Sequence, residues 1–126
     1  MAHRIALREV VIDVPTDILA AETAFWARAL DTDARPLKDY AEFTELVDPA
    51  AGCVVGLQDI GSDVARYHVD IESDDVEAEV ARLLRLGATE VSRHLSWVVL
   101  RDPAGLLVCV VPPDTADFDQ RARTVD

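Results

Sequence analysis

Basic residues are scarce in this chain: 12 Lys and Arg stand against 24 Asp and Glu in 126 residues, a formal net charge of -12. That deficit excludes a nucleic-acid footprint and attachment to an anionic membrane surface, because both need a basic patch. Cysteine is scarce too, with only Cys53 and Cys109. No CxxC spacing occurs, so neither a disulfide framework nor a structural zinc site is expected, and both thiols should be reduced. No apolar run approaches the roughly 18 residues of a membrane span. The opening Met-Ala-His-Arg-Ile-Ala-Leu-Arg-Glu lacks the apolar core of a signal peptide, so a cytoplasmic location is expected. A phosphate-cradling glycine loop, a nucleophile elbow and a dinucleotide fingerprint are all missing. The acidic run from Asp70 to Glu79 has neither the glycine nor the spacing of a calcium loop, and its acids suit a helix N-terminus instead.

What the chain does have is a pattern used twice. Half of its residues are apolar, enough at this length for one domain with a real core. Glu9-Val-Val-Ile-Asp-Val14 and His68-Val-Asp-Ile-Glu-Ser73 alternate in the same way, and each runs into an amphipathic helix. Alternation places Val10, Ile12 and Val14 on one face of the first strand, with Glu9, Val11 and Asp13 on the other. In the second strand Val69 and Ile71 oppose His68, Asp70 and Glu72. Carboxylates and an imidazole on the face away from the helix point to a ligand or metal site.

The order of elements repeats as well. A strand over 5–14 precedes a helix capped at Thr16 or Asp17 and running to Leu30, and three short strands follow near 35–38, 41–47 and 53–60, with a turn at 48–52. A strand over 67–72 then precedes a helix capped within Ser73-Asp74-Asp75 and stopped at Gly87. Strands near 90–92, 97–101 and 106–111 follow, the last two joined by Asp102-Pro-Ala-Gly105. The expected fold is α+β: two βαβββ modules, at 5–60 and 65–112, in a single domain spanning 1–126. The tail 113–126 is expected to be loose or packed on a partner chain. Strand parity assigns Tyr67 to the helix-facing core, and His3 and His94 read as surface residues.

Phe25-Trp26 followed by Ala-Arg-Ala-Leu30, the strand opening on His68, Gly87 after the second helix, and Trp97-Val-Val-Leu-Arg-Asp-Pro-Ala-Gly-Leu-Leu-Val-Cys-Val110 together resemble the vicinal oxygen chelate superfamily of glyoxalases, bleomycin resistance proteins and extradiol dioxygenases. The resemblance covers residues 5–112. It implies a curved, mixed eight-stranded sheet around a cleft, usually in a homodimer. Metal-using members place ligands on the first strand of each module, on the last strand and at the end of the first meander. Those positions fall here on Glu9, His68, Cys109 and, near the meander's end, Gln58. Cysteine at the final position departs from the usual glutamate and puts the glyoxalase reaction in doubt, because a thiolate is a softer ligand of different basicity.

Two functions from different classes follow from that resemblance. The first is a lyase, isomerase or dioxygenase acting on a small molecule with vicinal oxygens through one divalent ion, Zn, Ni, Fe or Mn, with Asp13, Asp70 or Glu72 moving protons. The second is metal-free sequestration of a cationic or aromatic small molecule, as bleomycin resistance proteins perform it. Asp13, Asp70 and Glu72 would line the acidic cleft, with Trp97 and Phe43 stacking on the ligand. A third reading is an interaction module whose cleft is filled by side chains.

Overall fold

The computed structural model describes residues 2–49 and 53–126. Residues 50–52 of the expected 48–52 turn lie outside them. The elements run β1 (His3–Val14), a 3-10 turn (Thr16–Ile18), α1 (Leu19–Ala29), β2 (Asp33–Pro36), β3 (Phe43–Val47), β4 (Val54–Asp59) and β5 (Arg66–Ser73). They continue with α2 (Val76–Arg85), β6 (Thr89–Arg93), β7 (Val98–Arg101), β8 (Leu107–Val111), α3 (Phe118–Arg121) and β9 (Arg123–Val125). This is the doubled βαβββ order, α+β as expected, with a ninth strand from the tail. The chain divides into two compact units, one of residues 9–68 and one of residues 1–8 with 69–126, and β1 contributes to both.

In the 9–68 unit the strand order is β2-β3-β4-β1. β1 pairs with β4 in parallel, with Glu9 beside Val54, Val11 beside Gly56 and Asp13 beside Gln58. The alternation read from the sequence holds. Ile12, Val14, Leu46, Val55 and Leu57 form the buried core, and Leu19, Trp26, Ala27 and Leu30 of the α1 segment pack on it. The opposite face is left to Glu9, Val11 and Asp13. Thr16 does not cap α1; its hydroxyl donates instead to Asp59 Oδ1 at 2.5 Å, tying the end of β4 to the turn before the helix.

In the second unit β5 lies between the first half of β1 and β8, followed by β7 and β6, and β5 and β8 are parallel. Val80, Val98, Leu100, Val108 and Val110 form its core, with Val69, Ile71, Val76 and Leu83 around them. α2 is capped as expected. Asp75 Oδ1 accepts from the Ala78 N–H at 3.0 Å, and Gly87 ends the helix at φ 111°, a conformation that costs a residue with a Cβ. Tyr67, by contrast, is 60% exposed and not in the core.

The tail is not loose but packs on its own chain. β9 pairs antiparallel with β1, His3 beside Val125, and Phe118 of α3 is buried. The first residues of β1 also meet α2, where His3 Nε2 lies 2.6 Å from Glu79 Oε2 and Arg82 binds both oxygens of the same carboxylate at 2.8 and 2.9 Å. His3 is therefore buried, contrary to its surface assignment. Burial pushes the Glu79 carboxyl up, but the hydrogen bonds and charges of Arg82 and then His3 outweigh it, so its pKa falls below the usual carboxylate range. A depressed folded pKa gives stability that is present above the unfolded value and lost as pH drops through the folded one. Urea titrations should therefore show Glu79→Gln weaker by about 3 kcal/mol at pH 7, with the gap to wild type closing below pH ~4.5. A gap independent of pH would contradict this.

Candidate functional site

The polar face of β1 in the 9–68 unit gathers the groups that sequence parity placed there. Asp13 is 1% exposed. Its Oδ2 lies 2.8 Å from His68 Nδ1 and accepts from Arg66 Nε at 3.2 Å. Arg66 continues to Asp63, donating from Nη1 at 2.8 Å. The Arg66 guanidinium titrates above its ordinary value, chiefly through that bond to Asp63; burial opposes the shift and the Asp13 charge adds to it. Among the described residues the second oxygen of Asp13, Oδ1, is buried and accepts no hydrogen bond. A buried carboxylate oxygen left open is costly unless a donor arrives. His68 and Asp13 were both read as site residues. That they bond each other, with Arg66 behind them, could not be read, because parity gives the face of a residue and not its cross-strand neighbour.

A short row continues beside this pair. Gln58 lies next to Asp13 on β4, and Phe43 next to Gln58 on β3. The Phe43 ring meets Tyr40 edge-on, with centroids 6.3 Å apart. Glu9 sits at the other end of the strand, against Gly56: a Cβ built on Gly56 would stand 2.9 Å from Glu9 Oε2. The glycine inside the run Val54-Val-Gly-Leu57 was the sequence signal for this, since glycine in a strand marks a close approach.

The second unit places the remaining predicted residues. Asp70 stands beside Cys109 in the β5–β8 pair, a carboxylate oxygen and the sulfur lying within 4.8 Å, with His68 two residues ahead of Asp70 on the same strand face. Glu72 shares that parity but serves the tail. Its carboxylate accepts from the N–H groups of Asp114 and Thr115, the Thr115 hydroxyl and Arg121. Trp97 precedes β7 rather than opening it, and stacks on His94 with centroids 4.4 Å apart.

A family model described as a glyoxalase-like domain matches residues 9–111. The chain belongs to the glyoxalase-like domain family. No curated protein matches this glyoxalase-like domain at a significant level. Among solved structures, it is similar to methylmalonyl-CoA epimerase from Mycobacterium tuberculosis, with TM-score 0.56 and 18% identity over 86% of this chain and 88% of that one. Methylmalonyl-CoA epimerase from Streptomyces coelicolor, in complex with 2-nitronate-propionyl-CoA, aligns with TM-score 0.52 and 15% identity over 86% and 97%. A glyoxalase/bleomycin resistance protein/dioxygenase superfamily member from Vibrio splendidus aligns with TM-score 0.50 and 18% identity over 85% and 98%. At these identities the likeness establishes the shared fold. Among the described residues no helix is long and apolar enough to cross a membrane.

The family resemblance implies a metal held by Glu9, Gln58, His68 and Cys109, and the donors of the 9–68 unit can be tested for it. Parallel register sets Gln58 four residues along from Val54, the neighbour of Glu9. That is about 13 Å of strand, too far for one ion to be shared by directly bonded side chains. Gly56, the β4 residue that does face Glu9, has no donor to offer. Glu9 and Gln58 therefore do not meet at one ion, and no chemical step is derived through a metal.

Proposed function

We propose that this glyoxalase-like domain is a proton-transfer enzyme of the isomerase or epimerase type, acting on a small molecule with neighbouring oxygens, with His68 as the base and Asp13 as the residue that orients it. The observation that carries this reading is the buried 2.8 Å bond between His68 Nδ1 and Asp13 Oδ2. With Asp13 ionised, Nδ1–H donates to the carboxylate and Nε2 carries the lone pair. That nitrogen takes a proton from a carbon next to a substrate carbonyl, and the released electron pair moves into the carbonyl to give an enolate. Returning the proton from the imidazolium to the opposite face of the same carbon, once the enolate has turned over, gives the epimer; returning it to the neighbouring carbon, with the hydroxyl proton passing from one oxygen to the other, gives the isomer. Asp13 stabilises the transient imidazolium by its charge. Gln58, beside Asp13, and Arg66 are the nearby donors for the enolate oxygen.

The test is proton exchange in deuterium oxide, followed by NMR, on methylmalonyl-CoA and on the hemithioacetal of methylglyoxal with glutathione. Wild-type protein is expected to exchange the carbon-bound proton of at least one of them, and His68→Gln to do so about 10²- to 10⁴-fold more slowly. The second reading, ligand sequestration in a homodimer, is favoured by the Tyr40–Phe43 ring pair next to Gln58. It predicts no exchange on either probe and calorimetrically measurable bleomycin binding that survives His68→Gln, a result that would remove the enzyme proposal.

A further inference from the structure

Two aromatic rings on the 9–68 unit are exposed to solvent and yet held in place. Tyr40 is 55% exposed and Phe43 half-buried. Backbone bonds fix them where burial does not: the Phe43 N–H donates to the Tyr40 carbonyl at 2.9 Å and the Leu37 N–H to the Phe43 carbonyl at 3.0 Å. The Asp59 N–H donates to the Glu42 carbonyl at 2.7 Å, which ties the 37–42 loop to β4. The two rings meet at 75° and so form two walls of a corner. A third flat ring laid offset on one wall stands edge-on to the other, and aromatic pairs favour both arrangements. The corner has the shape to take one aromatic ring.

Register decides what that ring is attached to. Phe43 pairs with Gln58 and Gln58 with Asp13, so the three share one face in a row across β3, β4 and β1. At ordinary strand spacing the row is about 10 Å from end to end. His68 bonds Asp13 at the last position. Gln58, in the middle, is half-buried, and its side-chain amide makes no hydrogen bond among the described residues. Its N–H groups are free to donate to an oxygen lying between the corner and the base. The order is therefore aromatic wall, hydrogen-bond donor, base. A substrate that fills it carries a ring, then a carbonyl oxygen, then a carbon that yields a proton. An aryl ketone with a hydroxyl on the next carbon has that order, and with a contact of hydrogen-bond length to the base it is long enough to span the row.

We infer that the Tyr40–Phe43 corner seats the aryl group of an aryl hydroxy ketone, with Gln58 donating to the carbonyl oxygen and His68 taking the proton from the hydroxyl-bearing carbon. This rests on the proton-transfer reading and deepens it by naming the substrate class. The electron pair of the broken C–H bond moves into the ring-bearing carbonyl, and in deuterium oxide the imidazolium exchanges its proton and returns deuterium to the same carbon. The test compares this exchange by NMR on 2-hydroxyacetophenone and on hydroxyacetone, which has methyl in place of phenyl. Wild type should favour the aryl ketone in kcat/KM by more than the ratio of the two uncatalysed rates. Phe43→Leu should lower that preference about tenfold, since the aromatic contact is lost while an apolar side chain of similar bulk stays. Benzamide, which has the ring and the carbonyl but no acidic carbon, gives a readout free of turnover: its ring protons should show Overhauser contacts to the Phe43 ring. Exchange on both ketones with a preference indifferent to Phe43→Leu, or benzamide without contact to Phe43, overturns the inference and leaves the proton-transfer reading standing. Benzamide seated on Phe43 with neither ketone exchanged supports the subsite and removes the proton-transfer reading instead.

Discussion

Glu72→Ala is expected to lower the unfolding free energy by about 3–5 kcal/mol and to release the tail from β5. The Glu72 side chain is fully buried, and its two oxygens accept from the Asp114 N–H at 2.6 Å, the Thr115 N–H at 2.8 Å, the Thr115 hydroxyl at 2.6 Å and Arg121 Nη2 at 3.3 Å. Bonds to a charged acceptor stabilise more than neutral ones, and alanine leaves buried donors without a partner. Arg121 also donates to the Leu7 carbonyl at 2.7 Å, and Arg8 forms an ion pair with Asp114, so the tail is tied to β1 as well as to β5. Urea denaturation should show the full loss. Hydrogen exchange should show amides 114–125 opening before the β7–β8 core, since the variant removes the tail's anchor and leaves Val98, Leu100 and Val110 packed. A loss under 1 kcal/mol with unchanged tail protection would contradict this account of Glu72.

The second large effect belongs to Asp13. Asp13→Asn keeps the volume but removes the charge, and its amide can donate to Nδ1 as readily as accept from it. His68 then loses both its fixed tautomer and the charge that stabilises the imidazolium. In the proton-exchange assay the variant should be slower by about 10²- to 10⁴-fold, with the loss in kcat rather than in KM, because substrate contacts stay in place. Arg66→Gln removes the outer support of Asp13 Oδ2 and one donor to the enolate oxygen but leaves the His68–Asp13 bond and its charge in place, and should cost less. Equal losses in KM and kcat for Asp13→Asn would recast Asp13 as a binding residue.

The fold was legible because two periods coincide in each module. Period-two alternation in Val10-Val-Ile-Asp-Val14 and in His68-Val-Asp-Ile-Glu72 gave the core face, and each strand flows into helix-spaced apolar residues. Turn chemistry located Gly87 and the Asp102–Gly105 hairpin, where Gly105 adopts φ 90° and Asp102 Oδ1 accepts from two loop amides. The tail was misread because its order comes from residues distant in the chain: Glu72 binds it, β9 pairs with β1, and Arg8 meets Asp114. Nothing local in Pro112-Pro-Asp-Thr-Ala-Asp117 reveals that Glu72 will bind it. The same alternation that correctly faced Glu72 away from the core suggested a site residue, where the structure has a structural anchor.

The site was legible by face and not by pairing. Glu9, Asp13, His68, Asp70 and Cys109 were all singled out, but which of them meet depends on inter-strand register, and one residue of register is worth a whole change of face. Gln58 shows this most clearly. Its parity matches Glu9, yet the β1–β4 register delivers it to Asp13. Arg66 was missed because a basic residue at the start of a strand reads as solvated until an acid is found across the sheet.

The most direct test of the central claim is the tautomer of His68, read from ring nitrogen shifts and their two-bond proton couplings in nitrogen-15-labelled protein, wild type against Asp13→Asn. The account predicts the proton on Nδ1 and the lone pair on Nε2 in wild type, with that preference lost in the variant. A wild-type ring protonated on Nε2, or one unchanged by Asp13→Asn, would contradict it.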